Sequence, residues 1–485
     1  MGRQQQLLTN SSQLREIDAR SLAAVRLVSR RLCAISTPIK YESLRLTEDI
    51  VAPEAETCMS EALKDIFSHT KHVEVLGELE PEHVKRFLAR IHNLKTIRWK
   101  YQDSQLCSGG YWLPSDVLKS CSQFRPRLRL SIEDLPLEQF SGSGHDAYLQ
   151  AIPALLLVSL KAECRFPLRT PQLDSLKRLL IASKGLEKLN YNDKGQGTRF
   201  SFCPGETMPP LSTEARAHWD FSRLRKLVLV DVPLNKFLSS VPASSLGHLR
   251  HLECGDFNHG SPEVRRATTA ALASLIDQIQ ELDELKIICH TTQFPIDVLL
   301  AHGQSLRSLR YRDHVGFTED DVCCPTLTVK DLSRVSRGMP CLESIELDWE
   351  GKLFPQGPRE FLSVLCQFPQ LRNLTLHVQT LIDPFDEDVD MEGDKDLTAA
   401  GEMFKFLVRE AEQQHTRTGQ GSRLKWERIT INVGGWRPVQ MRRLGAAWRE
   451  RNRLGTYAER CFVFERLPPT SIAEYNMFER SNIRE

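Results

Sequence analysis

The residues best able to do chemistry in this chain are scattered. Two histidine pairs are spaced by three, His69–His72 and His248–His251. Such a spacing can serve a metal ion when Cys or carboxylate partners join it. No partner set lies near either pair, so both read as surface or strand histidines. Asp388-Val-Asp390-Met-Glu392-Gly393 copies the first half of a calcium loop. Its twelfth position falls on Ala399, where a bidentate carboxylate is required, and Pro384 breaks an incoming helix. The vicinal Cys323-Cys324 reads as buried or loop thiols rather than a redox sensor. Gly142-Ser143-Gly144 and Gly195-Gln-Gly197 read as flexible loops. There is no GxxxxGK[ST] phosphate loop, no HExxH and no GxSxG elbow. The expectation is a protein that is not an enzyme, with no catalytic residue, no metal and no cofactor.

Composition narrows the classes further. Lys and Arg number 64 against 63 Asp and Glu, a net charge of +1. That balance argues against a dedicated nucleic-acid or membrane-surface binder. The longest apolar run, Ile152 to Leu160, is broken by Pro153 and Ser159 and is far short of the ~20 residues of a membrane span. MGRQQQLLTNSS has no apolar core of a secretory signal. The 13 cysteines include no CxxC pair and read as reduced thiols of a cytoplasmic or nuclear protein. At 485 residues the chain holds several domains or one elongated repeat array.

The elements that position side chains come from a repeat. An apolar residue, two variable residues, an apolar, one variable and an apolar recur along the chain. The strong copies are Leu94-Lys-Thr-Ile97-Arg-Trp99, Leu155-Leu-Leu-Val158-Ser-Leu160, Leu186-Glu-Lys-Leu189-Asn-Tyr191 and Leu224-Arg-Lys-Leu227-Val-Leu229. Leu249-Arg-His-Leu252-Glu-Cys254, Leu282-Asp-Glu-Leu285-Lys-Ile287, Leu306-Arg-Ser-Leu309-Arg-Tyr311, Leu342-Glu-Ser-Ile345-Glu-Leu347 and Leu371-Arg-Asn-Leu374-Thr-Leu376 continue it. Weaker copies are Tyr41-Glu-Ser-Leu44-Arg-Leu46, Val73-Glu-Val75, Leu130-Ser-Ile132 and Trp426-Glu-Arg-Ile429-Thr-Ile431. Steps from Leu155 to Leu371 run 31, 38, 25, 33, 24, 36 and 29 residues. Helix-like stretches precede many copies, such as Pro81 to Ile91, Pro262 to Ile279 and Pro358 to Cys366.

Alternate apolar residues of such a strand enter the core, and the residues between them face outward. No single unit buries its own apolar side, so neighbours must stack, with parallel strands and right-handed crossovers. The copies resemble irregular leucine-rich repeats of the long, helix-containing type. The resemblance implies an α/β solenoid: an irregular horseshoe with a parallel concave sheet and outer helices. The Asn that follows the strand in that family is mostly absent; Gln379 and Val232 stand at two such positions. Other groups must then satisfy the turns.

Two stretches interrupt the array. DPFDEDVDMEGDKD, Asp383 to Asp396, reads as a charged surface loop. The polar stretch Asn190 to Arg216 reads as a second loop. Pro438 to Leu454 predicts a helix with Met441, Leu444 and Trp448 on one face, closing the solenoid ahead of a Phe462–Phe464 strand. The expected organisation is a helical segment and first strand over 1–46, the solenoid over 47–436, and a helix, strand and tail over 437–485.

At the N-terminus, SLAAVRLVSRRLCAISTPIKYESLRL begins with a helix expected to end before Pro38. Its middle, Ala-Ala-Val25-Arg-Leu27-Val28-Ser-Arg-Arg31-Leu32, resembles the second half of an F-box. Ser36-Thr37-Pro38 and Tyr41-Glu-Ser-Leu44 resemble F-box exits in fungal F-box and leucine-rich-repeat proteins. The family's opening Leu-Pro and first helix have no counterpart here, so the expected F-box is N-terminally truncated or degenerate. The resemblance implies a Skp adaptor as partner, contacted by Leu22, Val25, Leu27, Val28 and Leu32. A plain amphipathic cap on the first repeat is the other reading, and both can hold at once.

The remaining chemistry is a surface. Arg98, Lys100, Asn190, Arg310, Arg312, Glu346, Asp348, Thr375 and His377 fall between inward apolar positions and are expected on the concave face. Arg310 and Arg312 should lie near Glu346 and Asp348 on the next strand. They form either an internal charge ladder or a mixed-charge groove for a protein partner. The resemblance makes the chain a protein-interaction module, the substrate-recognition F-box subunit of an SCF-type ubiquitin ligase. The alternative is a leucine-rich-repeat scaffold or binding protein with no ligase link. Neither reading involves nucleic acid or a membrane.

Overall fold

The computed structural model describes residue 24 and residues 26–101, 117–118, 128–136, 149, 152–163, 170–192, 220–230, 232, 234–256, 261–289, 294–313, 327–349, 359–378, 395–417, 426–433, 460–467 and 475–480. The chain forms two compact units. One comprises Met1–Thr198 with Pro204–Leu224, the other Arg199–Cys203 with Arg225–Glu485.

The first unit carries strands β1 (Ser43–Arg45), β2 (His72–Leu76), β3 (Thr96–Lys100), β4 (Arg129–Pro136), β5 (Leu157–Glu163) and β6 (Lys188–Asn192). Each pairs in parallel with the next. Its helices are α1 (Arg30–Lys40), α2 (Glu48–Val51), α3 (Ala55–Cys58), α4 (Ser60–His69), α5 (Pro81–Arg90) and α6 (Thr170–Ala182). Helix α4 buries Leu63, Ile66 and Phe67; α5 buries Val84, Phe87 and Leu88. That three-and-four spacing makes one apolar stripe per helix. Pro81 sits in the first turn of α5, where a missing N–H costs nothing. The strands answer with Val73, Val75, Ile97, Trp99, Leu130 and Ile132, all 2% exposed or less. Each side chain of this kind contributes about 1.5–3 kcal/mol on burial.

The second unit continues the same plan with β7 (Lys226–Val230), β8 (His251–Asp256), β9 (Glu284–Cys289), β10 (Ser308–Asp313), β11 (Ser344–Asp348), β12 (Asn373–Val378) and β13 (Arg428–Val433), all parallel. The helices between them are α7 (Leu234–Ser240), α8 (Pro262–Gln278), α9 (Ile296–Leu300), α10 (Val329–Gly338), α11 (Arg359–Leu365) and α12 (Lys395–Arg417). Ser261 and Thr328 cap α8 and α10, their hydroxyls accepting from the Val264 and Asp331 amides. The sheet then reverses direction: β14 (Arg460–Arg466) and β15 (Tyr475–Arg480) add antiparallel. Phe404 of α12 stacks on Phe464 at 4.2 Å and meets Tyr475 edge-on at 5.2 Å. This aromatic contact fixes the helix side of the antiparallel end.

The turns are satisfied without an Asn ladder. At several strand entries two successive amides donate to one carbonyl of the preceding repeat. Arg250 and His251 donate to the Arg225 carbonyl, Asp283 and Glu284 to that of Arg250, and Glu343 and Ser344 to that of Arg307, all at 2.8–3.0 Å. Lys95 and Thr96 do the same to Lys71. These bonds run along the entry side of both units and hold register independently of side chains.

Close packing between successive helices in the second unit depends on missing side chains. A Cβ on Gly303 would lie 1.9 Å from the Gly338 carbonyl oxygen, and one on Gly338 2.5 Å from Leu300 Cδ2. In the first unit Asp134 has φ 54°, a left-handed residue at the register shift between β4 and β5.

Several sequence expectations change. The strand copy assigned to Leu155, Val158 and Leu160 begins two residues later, as Leu157, Leu160 and Ala162. Those three are buried, whereas Leu155 is 84% exposed. Leu160 and Ala162 pair with Leu189 and Tyr191 of the next repeat. Helix α1 does not end before Pro38 but includes it. The amide that proline lacks would have bonded within the helix. Ser36 and Thr37 hydroxyls bond back to the Leu32 and Cys33 carbonyls around it, at 2.6 and 2.8 Å. Asn190 lies within β6, not in a loop. Lys395 and Asp396, read as the end of an acidic loop, open the 23-residue α12, with Asp396 buried. The rest of that loop and the helix expected over 438–454 lie outside the described residues.

Candidate functional site: the polar face of the strands

Helices cover one face of each unit's strands. The opposite face carries every second strand residue, brought into rows by the parallel register. In the first unit one row reads Arg45, Glu74, Arg98, Ser131, Ser159 and Lys188. The charges of its first three positions alternate and pair. Arg98 lies 3.2 Å from Glu74 and 2.7 Å from Glu133, and Arg45 lies 3.7 Å from Glu74. The hydrogen bond that Arg98 donates to Glu133 raises it above the ordinary guanidinium value. Lys161 reaches Asp134 at 2.7 Å. Arg98 and Lys161 are about half exposed, so each pair is worth about 0.2–1 kcal/mol.

In the second unit the corresponding row reads Glu253, Lys286, Arg310, Glu346, Thr375 and Thr430. The row beyond it contains Arg312, Asp348, His377 and Asn432. Lys286 lies 3.3 Å from Glu253, Arg310 3.0 Å from Glu346, and Arg312 3.0 Å from Asp348. The expected juxtaposition of Arg310 and Arg312 with Glu346 and Asp348 is thus present as direct ion pairs. Their environment differs from the expectation. Arg312, Asp348 and His377 are only 6, 6 and 5% exposed, so they do not line an open surface. Arg310, Glu346 and Thr375 are half-buried, as are Lys100 and Asn190 in the first unit.

Burial sets the protonation of this network. Desolvation pushes His377 down, the charge of Arg312 adds to it, and the pull of Glu346 does not offset them, leaving the imidazole at about 4. It is therefore neutral at pH 7. Its Nε2 donates to Glu346 Oε1 at 2.7 Å, and the Asn432 amide nitrogen stands 3.5 Å from Nδ1. Burial alone would raise Glu346, but the His377 hydrogen bond and the Arg310 charge keep it below its ordinary value. Glu253 follows the same pattern. Burial raises it, and His251 with Lys286 outweighs that, bringing it to about 2. The sequence reading did not single out Glu74, Glu133, Glu253 or Lys286. Their position between two inward apolar residues is the same signal that identified Arg98 and Arg310.

The N-terminal candidates divide. Leu22 and Val25 lie outside the described residues. Leu27 and Val28 are 89% and 72% exposed, while Leu32 is half-buried. Between them Ser29 is extended and caps α1, its hydroxyl accepting from the Leu32 amide at 3.2 Å. Helix α1 packs on α4, whereas Leu27 and Val28 stand on the far side of this break. The residues that α1 buries are Ser36 and Thr37.

Neither histidine pair converges. His72 bonds to Thr96 at 2.8 Å and His251 pairs with Glu284 at 2.7 Å, while His248 is exposed. Among the described residues no group of three His, Cys, Asp or Glu is arranged to hold a metal ion. Among them too, no helix is long and apolar enough to cross a membrane. The described Cys33, Cys58, Cys254, Cys341, Cys366 and Cys461 are free thiols. Cys323–Cys324, the half calcium loop and both glycine pairs lie outside the described residues. No protein-family model matches the chain, and no curated protein matches its sequence.

Proposed function

We propose that the chain is a protein-interaction module: the substrate-recognition F-box subunit of an SCF-type ubiquitin ligase, working in the cytoplasm or nucleus. The polar strand face holds the target, and the segment around Leu27 and Val28 holds the Skp adaptor. No residue performs covalent chemistry, and no cofactor takes part. The observation that carries the reading is the strand–helix repeat itself. Among the described residues the helices lie against one strand face, and the other carries Arg, Lys, Glu, Ser and Thr at every second position. Charged groups so arranged select partners and set register more than they add affinity. The exposed Leu27–Val28 pair supports the adaptor contact, since apolar side chains of this size gain most by docking.

The second reading, a repeat scaffold with no ligase link, rests on the same strand face and drops the N-terminal contact. Affinity capture of the full chain, with the Skp adaptor assayed directly, separates the two. The ligase reading expects adaptor with the parent chain and loss of it with Leu27→Asp and Val28→Asp, at unchanged circular dichroism. Absence of adaptor from both samples leaves the scaffold.

A further inference from the structure

The carboxylates of the first unit's strand face are engaged, while some of its cations are not. The face presents Arg45, Arg98, Lys100, Arg129, Lys161 and Lys188. Against them stand Glu74, Glu133, Asp134 and Glu187, every one in an ion pair. Glu163, at the far end of β5, also has a partner. Lys100, half-buried in β3, and Lys188, exposed in β6, make no ion pair or side-chain hydrogen bond.

Between these lysines lie Ser131 and Ser159, in register on β4 and β5, half-buried and without a side-chain hydrogen bond. Three strand spacings and one two-residue step separate the lysines' backbones, about 15 Å. Same-side residues of an extended chain recur every ~6.6 Å, so carboxylates four residues apart span ~13 Å, and the side chains cover the rest.

We infer that this face docks an extended acidic segment of a partner protein, with Lys100 and Lys188 meeting two of its carboxylates and Ser131 and Ser159 donating to the chain between them. The inference rests on the strand face being the partner surface and adds the partner's chemistry. The paired arginines would serve as walls. Arg98 is held from both sides by Glu74 and Glu133 and so stays in place while a ligand arrives.

The test is fluorescence anisotropy on the full chain with a labelled Glu-Ser repeat peptide, its Gln-Ser counterpart, and a single-stranded oligonucleotide. The acidic peptide is expected to bind and to weaken as salt shortens the screening length. Lys100→Glu and Lys188→Glu should each lower its affinity about fivefold or more, twice the effect of deleting one exposed pair in logarithmic terms. Thermal melting should be unchanged. Equal binding of the Gln-Ser peptide overturns the acidic preference but leaves the face as a binding surface. Tighter binding of the oligonucleotide overturns it in favour of phosphate recognition. If no probe binds, the inference fails, while the general reading still answers to the capture experiment. Binding unaffected by both lysine substitutions overturns the location.

Discussion

The strand faces of the two units carry the same chemistry in different surroundings. In the first unit Arg98 sits between Glu74 and Glu133 with half of its side chain in water. In the second, Arg312 and Asp348 form a pair at the same 3 Å range with side chains only 7% and 5% exposed. Water screens the first ladder, so either partner can be lost cheaply. The second pair has given up its hydration, so each ion depends on the other. Arginine–carboxylate pairs on the strand face are thus water-screened in one unit and desolvated in the other.

The largest contrast comes from breaking one carboxylate in each. Asp348→Ala takes the carboxylate away from the buried Arg312, at an expected cost of about 3–5 kcal/mol. Glu133→Ala should cost less than about 1 kcal/mol. Chemical denaturation of both variants measures the difference, and equal costs would erase the distinction between the faces.

Acid sharpens it next. His377 is held at about 4 against an ordinary 6.5, so the unfolded chain takes up a proton before the folded one does. Stability is full above pH 6.5 and falls as pH drops toward 4. By pH 5 the loss from this group is about 2 kcal/mol. His377→Gln keeps a donor for Glu346 and removes the titration. Its melting temperature should therefore fall less steeply from pH 7.5 to 5 than the parent's. Parallel slopes would mean that His377 is not buried neutral. Below pH 4.5 Glu253 adds a second loss, since its depressed value of about 2 stabilises the fold only while it is ionised.

A smaller effect separates crowded from open glycine positions within the second unit. Gly303→Ala drives a methyl into the Gly338 carbonyl and should cost about 1–3 kcal/mol. Gly401→Ala in α12 meets nothing within 4 Å and should gain about 0.5–1 kcal/mol of helix stability. Thermal melts of the two should move in opposite directions.

Much of the scaffold was legible because a parallel sheet repeats its instructions. Ile97 and Trp99, or Leu374 and Leu376, are buried residues at period two behind a helix-like stretch, and the strands lie where the pattern puts them. The Leu155 copy failed for a definable reason. Leu155, Leu156, Leu157 and Val158 satisfy the pattern at two offsets, and the small Ala162 hides the true third position. The ion pairs of Arg310 and Arg312 were also legible, since in-register parallel strands place equal offsets side by side. Their burial was not, because it depends on what packs over the face rather than on alternation along the strand. The antiparallel β15 escaped notice too: Tyr475–Arg480 pairs only with β14 and copies no earlier repeat.

The shared carbonyls at the strand entries carry one more consequence. Because each repeat is keyed to its predecessor through main-chain atoms, the join does not depend on which residue occupies it: Arg225, Arg250, Asp283, Arg307 and Glu343 all serve. Repeats with steps as short as 24 and as long as 36 residues follow one another on the same seam of the second unit. The array is in this sense modular. Whole cassettes cut at equivalent carbonyls can be duplicated, deleted or exchanged while the strands stay aligned, and new binding faces can be composed without redesigning the joints.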